Sequence, residues 1–552
     1  MKKIKLHTNR RLARWMGILP MALLGAWMMT ACSLDENPKD QIEEEQLYDT
    51  PGNLFRHTVA TLYSFIGGNS DGQGLQGTCR GVYDLQTFGS DEALLPTRGV
   101  DWYDGGIWQA LYKHSWQPGH EVINNSWLYL YKVIVMCNKS IQTILDHYSI
   151  LSERESMEYY MEARALRAIY YWYLLDLFGN VPVVLSTDVP MNEVRQFKRS
   201  EVFEFVRYEL EDCLTWLPDR RSVENNTEYY GRVTQAVVAF MLAKLYLNAE
   251  VYTNDDWTQQ PRKSGKNMVF TINDVKMNAW EACIHYCELL KDLGYRLETE
   301  YKDNFAIDND QSKENIWTIP MDRVLFFNQQ QNMCRSHHWR HAAAYGFDGE
   351  NGTSASLTTL RVNHFGEKDE DKRFAYNYWP GLVLNQKGII VYDKEGEALN
   401  YYPWEVSMNL TGTPHMETAG ARMRKYEVDP DAAQGGRVMD NDIVLFRYAD
   451  VLLMWAEAKV RNGEDGQAEF DMVRKRAKMP SIPATLDNIY NERLIELAWE
   501  GWRRNDMIRF DRYRSEYTGP DAVDESDHHT IVFPIPGGVM DANVNLVQNP
   551  GY

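Results

Sequence analysis

Between residues 155 and 178, apolar side chains return every three or four positions, at Met157, Met161, Ala165, Ala168, Ile169, Trp172 and Leu175. That is the period of a helix with one face turned to a core. Gly179 ends the run and Pro182 prevents its resumption. A second run from 234 to 249 repeats the pattern at Val238, Met241, Leu242 and Leu245, with Ala236, Ala239 and Ala243 small enough for close helix contact. Thr234 stands at its N-cap, and Val233 is placed to staple to Val238. Further helices are expected over 125–147, 200–216, 278–293, 443–462 and 486–512, so helices gather early and late in the chain.

Two stretches break this rhythm, about 67–117 and 313–440, both rich in Gly, Asn, Pro and aromatic residues; within the second, Asn315 to Pro320 reads as a strand. Long irregular stretches on a helical scaffold usually carry function, because the scaffold positions them. The 552 residues are 44% apolar and 25% charged, which rules out disorder and a polytopic membrane protein. No charge run or low-complexity tract divides the chain. The net charge of −20 repels phosphate backbones, so no nucleic-acid partner is expected.

The first fourteen residues hold Lys2, Lys3, Lys5, Arg10, Arg11 and Arg14 and no acid, and 15–30 is free of charge. This is a secretory leader, too short in its apolar run for a membrane span. Met29-Thr30-Ala31-Cys32 resembles a bacterial lipobox with Met29 in the usual Leu position, and Ser33-Leu34-Asp35-Glu36-Asn37 after it resembles the surface-export signal of Bacteroidetes lipoproteins. The expected mature chain starts at Cys32, carrying a lipid anchor in the outer membrane, with 1–31 removed and a net charge of −26. The six other cysteines (79, 137, 213, 283, 287, 334) are expected to be buried small hydrophobes.

Several motifs then fall in one order. Phe446-Arg447-Tyr448-Ala449-Asp450 with the helix after it, Asn491-Glu492-Arg493 through Trp502-Arg503-Arg504, and the ending Phe533-Pro534-Ile535-Pro536 with Asn549-Pro550-Gly551-Tyr552 resemble signatures of the SusD/RagB outer-membrane lipoproteins. Glu162-Ala163-Arg164 and Phe178-Gly179-Asn180-Val181-Pro182 resemble that family's first repeat pair. The resemblance spans 32–552 as a single domain. It implies a mainly α fold of tetratricopeptide-like helix pairs forming one scaffold, with long irregular ligand-binding loops and a few short strands. It also implies a SusC-like TonB-dependent outer-membrane barrel as partner. The ligand it implies is a glycan oligosaccharide or, for members resembling the RagAB peptide importers, a peptide. The helical spacing of Glu496, Glu500 and Arg504, with Arg493 and Arg503 nearby, reads as an ion-paired helix face of the scaffold rather than a site.

The 17 Trp and 33 Tyr exceed what a core requires. A sugar ring offers a nearly apolar C–H face and a polar rim, which indole and phenol rings beside polar groups can hold. The 91–108 segment has that composition: Trp102, Tyr103 and Trp108 among Asp91, Arg98 and Asp104, with glycines for a tight loop. Trp102 is the expected platform, whereas Trp108 and Trp116 are equally readable as core anchors. In the second stretch Trp339 is a further candidate platform, with Tyr345 beside it. The His337, His338 and His341 trio lacks an acidic neighbour in sequence for metal binding, and Asp308-Asn309-Asp310 lacks the rest of a calcium loop and reads as a solvated turn. No phosphate-binding, serine-nucleophile or zinc-protease motif is present. A non-enzymatic binding protein without cofactor is expected.

Overall fold

In the computed structural model the described residues are 47–69, 72–219, 229–259, 261–325, 328–513 and 528–552. The leader and Cys32 lie outside them. From Thr50 onward the chain forms one compact unit.

The first long helix, Glu121–Asp146, buries Trp127, Leu130, Ile134, Cys137, Ile141 and Ile144 at helical spacing. It packs against Glu153–Phe178. Ser152 starts the latter with a capping box, its hydroxyl accepting from Glu155 N–H while the Glu155 carboxylate takes Ser152 N–H at 2.9 Å. Gly179 ends it at φ +69°, a conformation that costs glycine little. From Met161 onward this helix is buried on every side, because the next helix, Arg199–Leu214, packs on it as well. Gln235–Leu247, Ala279–Asp292, Tyr448–Asn462 and Gln467–Arg476 continue the series, each packed on its predecessor. The protein is thus mainly helical, consistent with tetratricopeptide-like pairing. No helix among the described residues is long and apolar enough to cross a membrane.

Among the described residues the strands come in antiparallel pairs. Asn315–Ile319 pairs antiparallel with Ile443–Arg447, from Ile443 opposite Ile319 to Arg447 opposite Asn315. The 120 or so intervening residues therefore leave and re-enter the scaffold side by side, which keeps a long insertion compatible with the fold. Ala93–Leu94 pairs with Ser354–Ala355 and joins the first irregular stretch to the second.

Two helix assignments need correction. The segment expected as helix over 443–462 begins as the Ile443–Arg447 strand and turns helical only at Tyr448. The strand and the helix as far as Ala458 are buried throughout, so the apolar run shows no change of period at the switch. The 486–512 segment is two helices, Leu486–Glu496 and Arg503–Arg509, broken around Trp499 (φ +64°) and Gly501 (φ +76°). Without a continuous helix there is no ladder along one face. Its charged residues instead bridge other elements: Glu496 and Glu500 meet Arg447, Arg493 meets Asp450 at 2.7 Å, and Arg503 meets Asp91 at 2.6 Å. Cys137, Cys213, Cys283, Cys287 and Cys334 are buried, and Cys79 is half-buried. Asn309 is not a solvated turn residue. It is buried, donating to the Asn304 and Asp442 carbonyls at 2.9 Å each.

Candidate functional site

The Trp102 loop is held in a rarely populated backbone. Trp102 (φ +60°) and Asp104 (φ +43°) precede Gly105 and Gly106 at φ +70° and +87°. Left-handed backbone at a tryptophan costs about 1–3 kcal/mol and persists only where surroundings enforce it. Those surroundings are visible: the Trp102 indole N–H donates to the Glu350 carbonyl at 2.8 Å, and a Cβ on Gly352 would lie 2.7 Å from the indole. Only a glycine at 352 lets the ring settle there. Trp102 is half-buried and Tyr103 is 54% exposed.

The same strip of chain carries the second predicted platform. Asn351 N–H donates to the His337 carbonyl at 2.9 Å, and Gly349 lies against the carbonyls of His337 and His338. His338 caps the short Trp339–Tyr345 helix, its Nδ1 accepting from Arg340 N–H, and its Nε2 lies 3.6 Å from Glu417. Trp339, next in sequence, is 41% exposed. Asn351 donates to the Glu417 carbonyl at 3.0 Å, and Lys394 reaches the Glu417 carboxylate at 3.1 Å. Residues 349–352 therefore tie the Trp102 loop to the Trp339 helix, with Glu417 and Lys394 as polar groups between. Sequence reasoning missed Glu350, Gly352, Lys394 and Glu417, since nothing local marks a residue whose role depends on where two distant loops meet.

Three of the expected ligand residues are taken up by the fold. Asp91 is buried and paired with Arg503 at 2.6 Å. Arg98 is buried too, donating to the carbonyls of Met416 (2.7 Å) and Ala419 (3.0 Å) and to Ser354 Oγ (2.8 Å). Trp108 is 1% exposed, packed edge-on against Phe88 and donating to Asp104 Oδ2 at 2.8 Å. All three are buried and bonded to other parts of the fold. Asp104 itself is engaged by Trp108 and by Arg80 at 3.1 Å. Tyr345 lies edge-on to Trp379 and donates to the Leu384 carbonyl at 3.0 Å.

The histidine trio packs inside the protein. His337 donates to the Met423 carbonyl at 2.7 Å, and His341 Nδ1 bonds the Tyr401 hydroxyl at 3.0 Å. Burial pulls His337 down to about 3 and His338 to about 4, with Arg422 reinforcing the effect at His338. All three are neutral at ordinary pH. Among the described residues a different group, His364, Glu367 and Asp369, brings three potential metal donors within 4.8 Å, all exposed.

Comparisons with known proteins agree with this architecture. The model of the SusD family matches residues 305–552, and that described as starch-binding associating with outer membrane matches 96–247. Starch-binding protein SusD of Bacteroides thetaiotaomicron is 24% identical over 534 residues, 87% of each chain. SusD-like protein P2 of Formosa agariphila is 25% identical over 461 residues, covering 78% of this chain and 81% of that one. Surface glycan-binding protein A from Bacteroides thetaiotaomicron, solved with laminarihexaose, superposes with a TM-score of 0.69 at 20% identity over 91% of this chain and 99% of its own. A laminarin-binding SusD-like protein superposes with a TM-score of 0.67 at 20% identity, over 91% and 100%. The two family models meet the helical first half and the signature-bearing second half in the same order as the fold: the chain belongs to the SusD-like family.

Proposed function

We propose that this protein is a surface-exposed outer-membrane lipoprotein, anchored through Cys32, that binds glycan oligosaccharides non-covalently and delivers them to a SusC-like TonB-dependent barrel. The carrying observation is the joining of Trp102 and Tyr103 on one loop to the short helix that begins at Trp339 through the 349–352 strip, with Glu417 bonded to that strip and to Lys394. Half-open indole and phenol rings beside polar groups suit stacking on sugar faces with hydrogen bonds at the rim. The anchored Trp102 is also pre-ordered, so it loses little freedom on binding. Membership of a family whose relatives include starch- and laminarin-binding proteins supports the ligand class. In this reading the rim holds and releases the glycan without making or breaking a bond.

The test is carbohydrate titration of Trp339→Ala and Trp102→Ala beside the wild type, with thermal melting as folding control. Each loss should weaken the preferred neutral oligosaccharide at least about tenfold, the scale of an interfacial aromatic worth about 2 kcal/mol. Trp339→Ala should melt like the wild type, because its ring stands open. Unchanged affinity in both variants moves the site elsewhere, cleavage of the glycan during titration contradicts pure binding, and retention of peptides instead of glycans on a mixed array favours the importer of peptides.

A further inference from the structure

A separate aromatic cavity takes in Tyr345, the last residue of the Trp339–Tyr345 helix. A cavity of about 540 Å³ is lined by Tyr345, Tyr376, Trp379, Arg424, Lys302 and Asp303 among others. A neighbouring cavity of about 400 Å³ shares Tyr376 and Arg424 and adds Lys372, Arg476 and Lys478, with Glu300 as its acid. Such a density of cations is unexpected in a chain of net charge −20.

Two of these cations are already neutralised. Arg476 pairs with Glu314 at 2.8 Å and with Glu496, and Lys478 pairs with Glu300 at 2.9 Å. Arg424 and Lys372 are different: among the described residues neither has a carboxylate partner. Lys372 Nζ donates to the Lys478 carbonyl at 2.8 Å, and Arg424 Nη1 donates to the Ala375 carbonyl at 2.9 Å. The Arg424 guanidinium lies 3.9 Å from the centre of the Trp379 ring. That ring is fixed in turn by edge contacts from His341 and Tyr345. Arg424 is thus a half-buried cation held in place by stacking, with Nε and Nη2 given no acceptor among the described residues. A guanidinium in that state matches the two oxygens of a carboxylate or sulfate, and a partly dry setting strengthens the pairing. Burial lowers its proton affinity, which marks the charge as uncompensated. Asp303 and Glu427 also line the larger cavity, so the anion belongs at the smaller end, between Arg424 and Lys372.

We propose that these joined cavities are a second carbohydrate site, selective for acidic sugars: Arg424 and Lys372 take a carboxylate or sulfate ester while Tyr345 and Tyr376 receive the ring. The ligand class rests on the glycan-binding reading above, but the site shares no residue with the Trp102–Trp339 rim.

The test titrates the full chain with a galacturonic acid tetramer, a sulfated galactan tetramer and a neutral galactose tetramer. At least one acidic probe should bind tenfold or more tighter than the neutral one, and which acid does so separates carboxylate from sulfate. That affinity should fall at least tenfold in Arg424→Ala, fall less in Arg424→Lys, which keeps the charge without the fork, and stay within twofold in Trp339→Ala. Melting temperatures of both Arg424 variants control for folding. Equal or absent binding of acidic and neutral probes overturns the proposal, as does unchanged acidic binding in Arg424→Ala. Loss of acidic binding in Trp339→Ala with retention in Arg424→Ala returns the anion to the rim. Failure of the rim reading is separate, since it is read from neutral oligosaccharide against Trp339→Ala.

Discussion

Glu92, beside the loop that carries Trp102, is a fully buried carboxyl whose single partner is the Trp499 N–H. Burial pushes it up to about 7, against the pull of Trp499 and Arg503. The native state therefore keeps this proton between about pH 4.5, where the unfolded carboxyl releases it, and pH 7. With more protons bound natively, stability falls as pH rises through that window. Glu92→Gln can accept the same N–H without a charge, so it should leave stability near pH 4 unchanged and raise it by up to about 3 kcal/mol at pH 8. Denaturant unfolding of both proteins across pH reads this directly, and a variant no more stable than wild type at pH 8 would show that Glu92 is ionised at little cost.

The strand Ile443–Arg447 and the break between Leu486–Glu496 and Arg503–Arg509 are joined by one side chain. Arg447, wholly buried, meets Glu314 at 2.9 Å, Glu496 at 2.6 Å and Glu500 at 2.8 Å. Burial alone would raise the Glu496 carboxyl, yet Arg476, Arg447 and Arg373 together hold it well below the usual carboxylate range. Removing one member of such a cluster strands the others, and loss of a buried partner costs about 3–5 kcal/mol. Arg447→Ala should lose stability on that scale in urea unfolding, whereas a loss under about 1 kcal/mol would mean that water or Arg476 replaces it. The cluster also explains why these acids and bases serve the scaffold: each is spent on another buried charge.

For the molecule as a whole, the ends of the long excursion between Ile319 and Ile443 lie side by side, so its loops can vary without disturbing the helical series. Trp339 of the aromatic rim and Lys372, Tyr376, Trp379 and Arg424 of the cavities sit on that excursion, whereas Trp102 and Tyr103 come from the first irregular stretch, in keeping with loops as carriers of function on a rigid body. Export makes its own prediction. Cys32→Ala should move the protein from the outer membrane to soluble fractions, and the wild type should co-purify in mild detergent with a much larger barrel. Cys32→Ala that stays membrane-bound would end the lipoprotein reading, and recovery of the wild type alone with the barrel expressed would end the pairing.

Local pattern in the sequence determined the helical class and the place of most of the long helices, because apolar periodicity and caps act within a few residues. It also singled out Trp102, Tyr103 and Trp339 as aromatics, of which the structure leaves Trp102 and Tyr103 on a loop and Trp339 at the start of a short helix. It left Trp108 equally readable as ligand contact or core anchor, because burial depends on Phe88 and on a core assembled from the whole chain. Nor could it assign Asp91, whose partner Arg503 is more than 400 positions away. The strand at Ile443–Arg447 was hidden in a run apolar on both faces, visible only once Asn315–Ile319 lay beside it. Composition chose the residue types that can meet a ligand; the tertiary structure decided which remain free to do so, because buried charges and indole N–H groups must first be satisfied by whatever the fold brings within reach.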